Sequence, residues 1–181
     1  IESEQLLLAI APHATSKLVT ADDLFDVHTL GFRGEALASI AEISHLMIRS
    51  RTAESECGAE MVVRGGSQEG PAPSASPKGT TIEVRHLFFN TPVRRKFMKS
   101  PQTEMGHVTE QFTRIALAFP HVHMVLQSGD RTVHDLPPCE RWSERIRVFF
   151  GDEVGDALIP IDSHDGEIHL RGYVADPSVS R

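Results

Sequence analysis

Residues 31–40 read Gly31-Phe32-Arg33-Gly34-Glu35-Ala36-Leu37-Ala38-Ser39-Ile40, a loop bracketed by two glycines and followed by a segment of periodic apolar residues. The periodicity predicts a helix from Glu35 to Ile43. Glycine lets the backbone bend tightly and approach a ligand closely. The free N–H groups at the start of a helix, together with Arg33, favour an anion, and phosphate is the natural candidate. A turn and helix start without any ligand is the alternative that these residues alone leave open.

Two further segments carry groups that suit a phosphate or a base edge. Thr15-Ser16-Lys17 places two hydroxyls and an ammonium in a polar loop, although the order of a Walker loop is absent. Gly79-Thr80-Thr81 opens a strand, where a glycine allows close approach and a hydroxyl can bond a base edge or an ordered water. Taken singly, an ordinary polar loop and a β-branched strand start remain the alternatives.

Residues 85–99 form a basic segment in an otherwise acidic chain. Five cations lie in it, with no acid among them: Arg85, Arg94, Arg95, Lys96 and Lys99. Three phenylalanines, Phe88, Phe89 and Phe97, are interleaved with these cations, and such a pattern can meet nucleic acid. The other interpretation is an aromatic core beneath a solvated charged face, and both stay open at this point.

The composition of the 181 residues excludes several classes of protein. With 18 basic and 25 acidic residues the formal charge is −7, which argues against a protein that holds DNA or anionic lipid by bulk charge. No apolar run approaches the roughly 18 residues of a membrane span. Cys57 and Cys139 are too few for a disulfide framework and predict free thiols in a reducing compartment. The metal motifs H-E-x-x-H and C-x-x-C and the nucleophile motif G-x-S-x-G do not occur, so neither a metal site nor a catalytic serine is predicted.

Strand and helix signals are mixed without regular βαβ alternation, which predicts an α+β sandwich. Helices are expected at Ser3–Ile10, at Asp22–Val27, behind Ser100-Pro101 and at Trp142–Phe150. Strands are expected at 45–51, 60–64 and 80–85, and hairpins at the turns of Gly129 and Gly166. Residues 65–79 predict a mobile loop, because they are rich in Gly, Ser and Pro.

The segment behind Ser100-Pro101 carries apolar residues that repeat at intervals of three and four. These residues predict a stripe that faces the core: Met105, Val108, Phe112, Ile115 and Phe119. Pro137-Pro138 is the best candidate for a linker.

Four segments, taken in order and with their spacing, resemble the MutL family of DNA mismatch repair proteins. They are His13-Ala14-Thr15-Ser16-Lys17, the 31–40 stretch, Gly79-Thr80-Thr81-Ile82-Glu83-Val84 and Leu87-Phe88-Phe89-Asn90-Thr91-Pro92-Val93-Arg94-Arg95-Lys96-Phe97. This family belongs to the GHKL ATPases. The resemblance therefore implies a GHKL (Bergerat-type) α/β sandwich ATPase domain, truncated here and followed by the first part of a ribosomal-S5-like transducer domain. It divides the chain into residues 1–138 and 139–181.

The same resemblance implies ATP as the nucleotide, with Mg²⁺ as its metal. Thr15, Ser16 and Lys17 would belong to a lid over the nucleotide, with Lys17 neutralising phosphate charge. Gly31, Phe32, Arg33 and Gly34 would cradle the phosphates, and Thr81 would lie beside the adenine pocket. Pro12 stands where the family usually has arginine, which removes a charge and an N–H from the lid.

The family's Glu/Asn helix, which activates water and holds Mg²⁺, and its D-x-G-x-G motif, which reads adenine, have no match in this sequence. No residue of this chain is therefore expected to be catalytic or to bind metal. We expect a segment of a longer protein that does not hydrolyse ATP by itself. The intact parent would bind ATP and hydrolyse it slowly, close its lid and dimerise its N-terminal domains, coupling mismatch recognition to strand removal.

The resemblance also implies partners and a compartment. A MutS-type mismatch recognition protein, DNA and a downstream helicase or nuclease are the expected partners, together with a second copy of the parent bound through its N-terminal and C-terminal domains. The expected location is the cytoplasm of a bacterium, at the nucleoid and away from membranes.

Two alternatives differ from this interpretation. Another GHKL ATPase, such as a gyrase-B-like protein, would share the phosphate motifs but would not explain N-T-P-V-R-R-K-F. A non-enzymatic DNA-binding module would use the basic segment, with Arg94, Arg95 and Lys96 as its contacts.

Overall fold

The computed structural model describes residues 1–18, 20 and 22–179. The chain divides into two compact units, Ile1–Met98 and Lys99–Arg181, each of which is described by itself. The domain boundary predicted after residue 138 concerns the family's domains and stays a prediction. No helix among the described residues is long and apolar enough to cross a membrane.

The first unit is a four-stranded antiparallel sheet with short helices on one face. The strands are β1 (His45–Arg51), β2 (Gly58–Arg64), β3 (Ser67–Ser74) and β4 (Gly79–Arg85), in the spatial order β3-β2-β1-β4. The helices are α1 (Leu6–Ala9), which continues a 3₁₀ turn at Ser3–Gln5, α2 (Ala36–Glu42) and α3 (Pro92–Arg95), with a further 3₁₀ turn at Asp22–Phe25. The predicted strands at 45–51, 60–64 and 80–85 and the predicted helix behind Gly34 are confirmed.

The core of this unit lies between the helices and the two central strands. Alternation places Leu46 and Ile48 of β1 on the same face as Met61 of β2, and all three are buried. Leu6 of α1 and Ala41 of α2 pack on this face in the same apolar cluster. Period-two burial of one face is what an antiparallel sheet covered on one side requires.

The mobile loop predicted at 65–79 is wrong, because most of it forms β3. Gly65 and Gly66 both adopt positive φ (56° and 84°), which lets the chain reverse in the tight turn between β2 and β3. Proline is compatible with β3 because this strand lies at the edge of the sheet and pairs on one side only. The Gly- and Pro-rich composition thus reflects a hairpin turn and an edge strand.

Within the described residues, the second unit contains two helices and four strands that were predicted and one helix that was not. Its elements are α4 (Pro101–Ala118), the hairpin of β5 (Met124–Ser128) and β6 (Arg131–Leu136), α5 (Trp142–Phe150), α6 (Asp152–Asp156) and the hairpin of β7 (Leu158–Asp165) and β8 (Ile168–Ala175). Ser100 caps α4 as predicted, since its Oγ accepts a hydrogen bond from the Thr103 N–H at 3.2 Å. Helix α6 was missed.

The apolar stripe of α4 is only partly covered within the described residues: Met105 and Phe112 are half-buried, and the Phe112 ring stacks on His134 with ring centres 5.9 Å apart. Val108, Ile115 and Phe119 are 50%, 40% and 36% exposed, and Ala116 is the buried residue of the helix. The spacing correctly predicts a helix with one apolar face. Burial of that face depends on elements distant in sequence, which the spacing does not encode.

Arg145 of α5 is buried in the second unit and holds the backbone around it. Its Nη2 donates to the carbonyls of Pro120, Val122 and Pro137 at 2.7, 3.1 and 3.0 Å. Pro137, predicted to begin a linker, is thereby fixed to α5. The Pro120 carbonyl also accepts from the Cys139 N–H at 3.0 Å, whereas Nε and Nη1 of Arg145 are buried without a partner among the described residues.

Candidate functional site

The two predicted phosphate segments lie against each other in the first unit. Gly34 adopts a φ of 65°, and a Cβ built on it would stand 2.1 Å from the Ala14 carbonyl oxygen. Only glycine permits this approach, because any side chain would collide with backbone. The residues next to Ala14 and Gly34 also meet, with His13 Nδ1 3.1 Å from Glu35 Oε1. Residues far apart in sequence thus meet as one pair of loops.

Pro12 has a local role in forming this contact. The Ala14 N–H donates to the Ala11 carbonyl at 3.2 Å, closing a four-residue turn with Pro12 and His13 at its centre. His13 has a φ of 63°, and a positive φ at this position is a feature of type II turns, whose preceding position favours proline. Proline at position 12 therefore fits the turn that presents Ala14 to Gly34.

The loop pair carries two cations that no carboxylate neutralises in the part of the chain that the structure describes. The Lys17 ammonium donates to Ser16 Oγ at 2.6 Å, and the Lys17 N–H donates to Thr15 Oγ1 at 3.1 Å. The Arg33 guanidinium lies over the Phe32 ring, 5.3 Å from its centre. Lys17 and Arg33 therefore keep positive charge available for an anion.

The register of β4 separates the two threonines of the adenine motif. Thr81 lies opposite Arg49 on the sheet face that α1 and α2 do not cover. Thr80 lies on the helix side, with its Oγ1 2.9 Å from Ser50 Oγ. Ile82, on this same side, is 45% exposed, so the helices leave this part of β4 open. The helix-side residue is thus Thr80, which shares its face of β4 with Ile82 and Val84 because side chains alternate along a strand.

The segment between β4 and α3 is hydrogen-bonded to the C-terminal end of α2. The Phe88 N–H donates to the Ile43 carbonyl at 2.7 Å, and Asn90 Nδ2 donates to the Glu42 carbonyl at 2.8 Å. The Phe89 ring meets His45 edge-on, with ring centres 4.6 Å apart. The fourth motif of the sequence is therefore in contact with the C-terminal end of α2, the helix that continues the second motif.

The predicted nucleic-acid residues Arg94, Arg95 and Lys96 lie on and directly after α3. All three are exposed, and none has a carboxylate partner among the described residues. Phe97 is 74% exposed, so it is not part of an aromatic core. This surface has the charge and the exposed ring that a polyanion would require.

The described residues contain no cluster of three or more His, Cys, Asp or Glu side chains that could hold a metal ion. Cys57 is exposed and Cys139 is half-buried, and both are free thiols.

Comparison with known proteins identifies the family. The chain matches no protein-family model. Over its whole length it is 44% identical to the DNA mismatch repair protein MutL of Chelativorans sp. and 42% identical to that of Brucella abortus strain S19. The chain spans about 30% of the length of these curated relatives.

Solved structures show the same relationship in three dimensions. The Aquifex aeolicus MutL ATPase domain complexed with ADP superimposes with a TM-score of 0.68 at 34% identity, over 87% of this chain and 60% of that one. The predicted GHKL-type mixed α/β fold is thereby confirmed. Together, the identity over the whole chain and the shared fold place this protein in the MutL family of DNA mismatch repair proteins.

Proposed function

We propose that this chain supplies the phosphate-binding and lid parts of the ATP site in a MutL-type mismatch repair ATPase. The observation that carries the proposal is the contact of Gly34 with Ala14, which joins two loops bearing the unneutralised cations Lys17 and Arg33. Membership of the family and the ADP complex of the Aquifex relative support it.

The residues present fit a nucleotide in the following roles. Thr15, Ser16 and Lys17 cover the phosphates, and Gly31, Phe32, Arg33 and Gly34 approach them with backbone and guanidinium. A Cβ on Gly31 would meet nothing within 4 Å, so the loop is open on the side where a phosphate would lie. At the adenine end we assign Thr80 in place of Thr81, because Thr80 is on the helix side of β4.

Hydrolysis belongs to the whole protein in this proposal. Mg²⁺, when bound, neutralises phosphate charge, but no residue of this chain is assigned to it or to activation of water. The whole protein is proposed to close its lid on ATP, to dimerise and to act with a MutS-type protein, DNA and a downstream helicase or nuclease in the bacterial cytoplasm.

A calorimetric titration of the chain with ADP tests the nucleotide site. Lys17→Gln and Arg33→Gln each remove an exposed charge and should weaken ADP binding about tenfold, the typical value of a charge-assisted hydrogen bond. Arg131→Gln, which changes an exposed arginine at the start of β6, is the matched control and should bind ADP like the wild type. Equal weakening by all three variants, or by none, would contradict the site.

A DNA-binding module is the second candidate, favoured by the unpaired cations Arg94, Arg95 and Lys96. Filter binding at two salt concentrations tests it. Steep salt dependence that disappears in an Arg94→Ala/Arg95→Ala variant would support phosphate contacts at this surface. Affinity that is unchanged in the double variant would place any DNA contact elsewhere.

A further inference from the structure

The C-terminal end of α2 is held by donors that all come from outside the helix. Four hydrogen bonds end on consecutive carbonyls: Gly66 N to Ala41 O (3.2 Å), Asn90 Nδ2 to Glu42 O (2.8 Å), Phe88 N to Ile43 O (2.7 Å) and Gly65 N to Ser44 O (3.1 Å). The last carbonyls of a helix have no partner within it, so such contacts decide where this end lies.

Asn90 provides the one side-chain donor of this set; the residue is exposed, and its amide lies against a neighbouring turn. A Cβ placed on Gly65 would stand 3.1 Å from Asn90 Nδ2, so the amide lies directly against the β2–β3 turn. His86 and Phe88, just before it, adopt φ values of 52° and 64°, which non-glycine residues rarely do. A segment that keeps this conformation is fixed by its contacts, and strained backbone of this kind clusters at functional sites.

The other end of α2 begins directly after the loop that contacts Ala14. A helix of seven residues is about 10 Å long, and its internal hydrogen bonds make it move as one body. A shift at the Glu42 carbonyl therefore moves Gly34 relative to Ala14. The hydrogen bond from Asn90 is in this way linked to the geometry of the phosphate loops.

We propose that Asn90 is a positioning residue for the phosphate loop and couples the 86–96 segment to nucleotide binding. The inference rests on the proposed function, since it requires that Gly31–Gly34 binds phosphate. Coupling between two sites is reciprocal. Nucleotide at the loop changes the environment of the Asn90 amide, and loss of the amide donor weakens nucleotide binding.

Asn90 is the only asparagine of the sequence, which permits a direct experiment on the unmodified chain. Labelling with ¹⁵N-asparagine yields a single side-chain amide signal. On addition of ADP that signal should shift and its hydrogen exchange should slow. Because this measurement needs no substitution, it remains decisive even if a variant fails to fold.

A variant pair provides the second measurement. Asn90→Asp has the same shape but cannot donate, and it should weaken ADP binding about fivefold, the typical net value of one hydrogen bond. Gln127→Glu makes the same amide-to-carboxylate change at an exposed position of β5 and should leave ADP affinity unchanged.

The outcomes separate the two proposals. If the wild-type chain binds ADP while the Asn90 signal does not respond and Asn90→Asp binds normally, Asn90 has no positioning role and the nucleotide site stands. If the wild-type chain does not bind ADP, the proposed nucleotide site itself is contradicted, and the role of Asn90 that depends on it is contradicted with it. If Asn90→Asp and Gln127→Glu weaken binding equally, the effect is one of charge and the inference is overturned.

Discussion

Replacement of Gly34 by alanine tests whether the contact between the loops builds the site. Alanine at a φ of 65° costs about 1 kcal/mol more than glycine. Its Cβ would also stand 2.1 Å from the Ala14 oxygen, whereas ordinary contact begins near 3.4 Å. The loops must therefore separate by on the order of 1 Å, since atoms in packed regions cannot overlap.

The magnitude follows from how the two loops can relax. Gly34 and Ala14 are both only half-buried, so the loops move apart and retain little strain. We expect the free energy of unfolding to fall by about 1–2 kcal/mol, below the full cost of overpacking in a rigid core. If the nucleotide binds only when the two loops are in contact, part of its binding free energy must be used to overcome the collision between the new Cβ and the Ala14 oxygen. We therefore expect ADP affinity to fall at least tenfold, which corresponds to about 1.4 kcal/mol.

Gly129→Ala separates the effect of positive φ from the effect of the collision. Gly129 has a φ of 57° in the β5–β6 turn, and a Cβ there would meet nothing within 4 Å. Urea unfolding should show a loss of about 1 kcal/mol for Gly129→Ala, and calorimetry should show no change in ADP affinity. Wild-type ADP affinity in Gly34→Ala, with undiminished exchange protection of the Ala14 N–H, would refute the reasoning.

Four further predictions concern stability, pH dependence and turnover. Arg145→Ala should lower the free energy of unfolding by about 3 kcal/mol in urea titrations, because three carbonyls lose a buried donor. The control Arg141→Ala, at the exposed start of the same helix, should have little effect on this free energy. Ser100→Ala should lower the free energy of unfolding by about 1 kcal/mol, because α4 loses its N-terminal cap. If the variant unfolds at the same urea concentration as the wild type, Ser100 does not stabilise the helix as a cap. The His169 hydrogen bond holds the pKa of Asp162 below its ordinary value of 3.8. The pair therefore stabilises the β7–β8 hairpin at pH values above that ordinary pKa, and this stabilisation is lost as the pH falls through the lowered pKa. A carboxyl NMR titration should show the pKa of Asp162 rising in His169→Ala. The chain alone should release no phosphate from ATP, and turnover above a blank that disappears in Arg33→Ala would contradict this.

Local signals in the sequence were sufficient where the structure is set by neighbouring residues. The strand β1 follows from strict alternation, and α4 begins where Ser100-Pro101 predicts it, because a cap and a fixed φ act over one turn. The strand β3 was missed for the opposite reason. Its prolines and the adjacent glycines favour a loop in isolation, and only pairing with β2 makes an edge strand of them.

The candidate site shows the same limit at single residues. Glycine at position 34 could be singled out from sequence, but the partner that makes glycine necessary, the Ala14 carbonyl, could not. The choice between Thr80 and Thr81 depends on the phase of β4 relative to β1, which a motif match does not contain. The buried position of Arg145 depends on three carbonyls from distant segments, and arginine is by type expected at the surface.

The contacts around α2 explain why some residues of the site can be recognised from the sequence and others cannot. At one end Gly34 approaches the Ala14 backbone, and at the other the Asn90 amide donates to the Glu42 backbone. In each contact one member must be a particular residue type, since only glycine lacks a Cβ and few side chains can donate at that distance. The other member contributes a carbonyl, which every residue possesses. The sequence motifs therefore identify the member of each contact that must be a particular residue type. The structure is needed to identify the other member, because any residue could supply its backbone carbonyl.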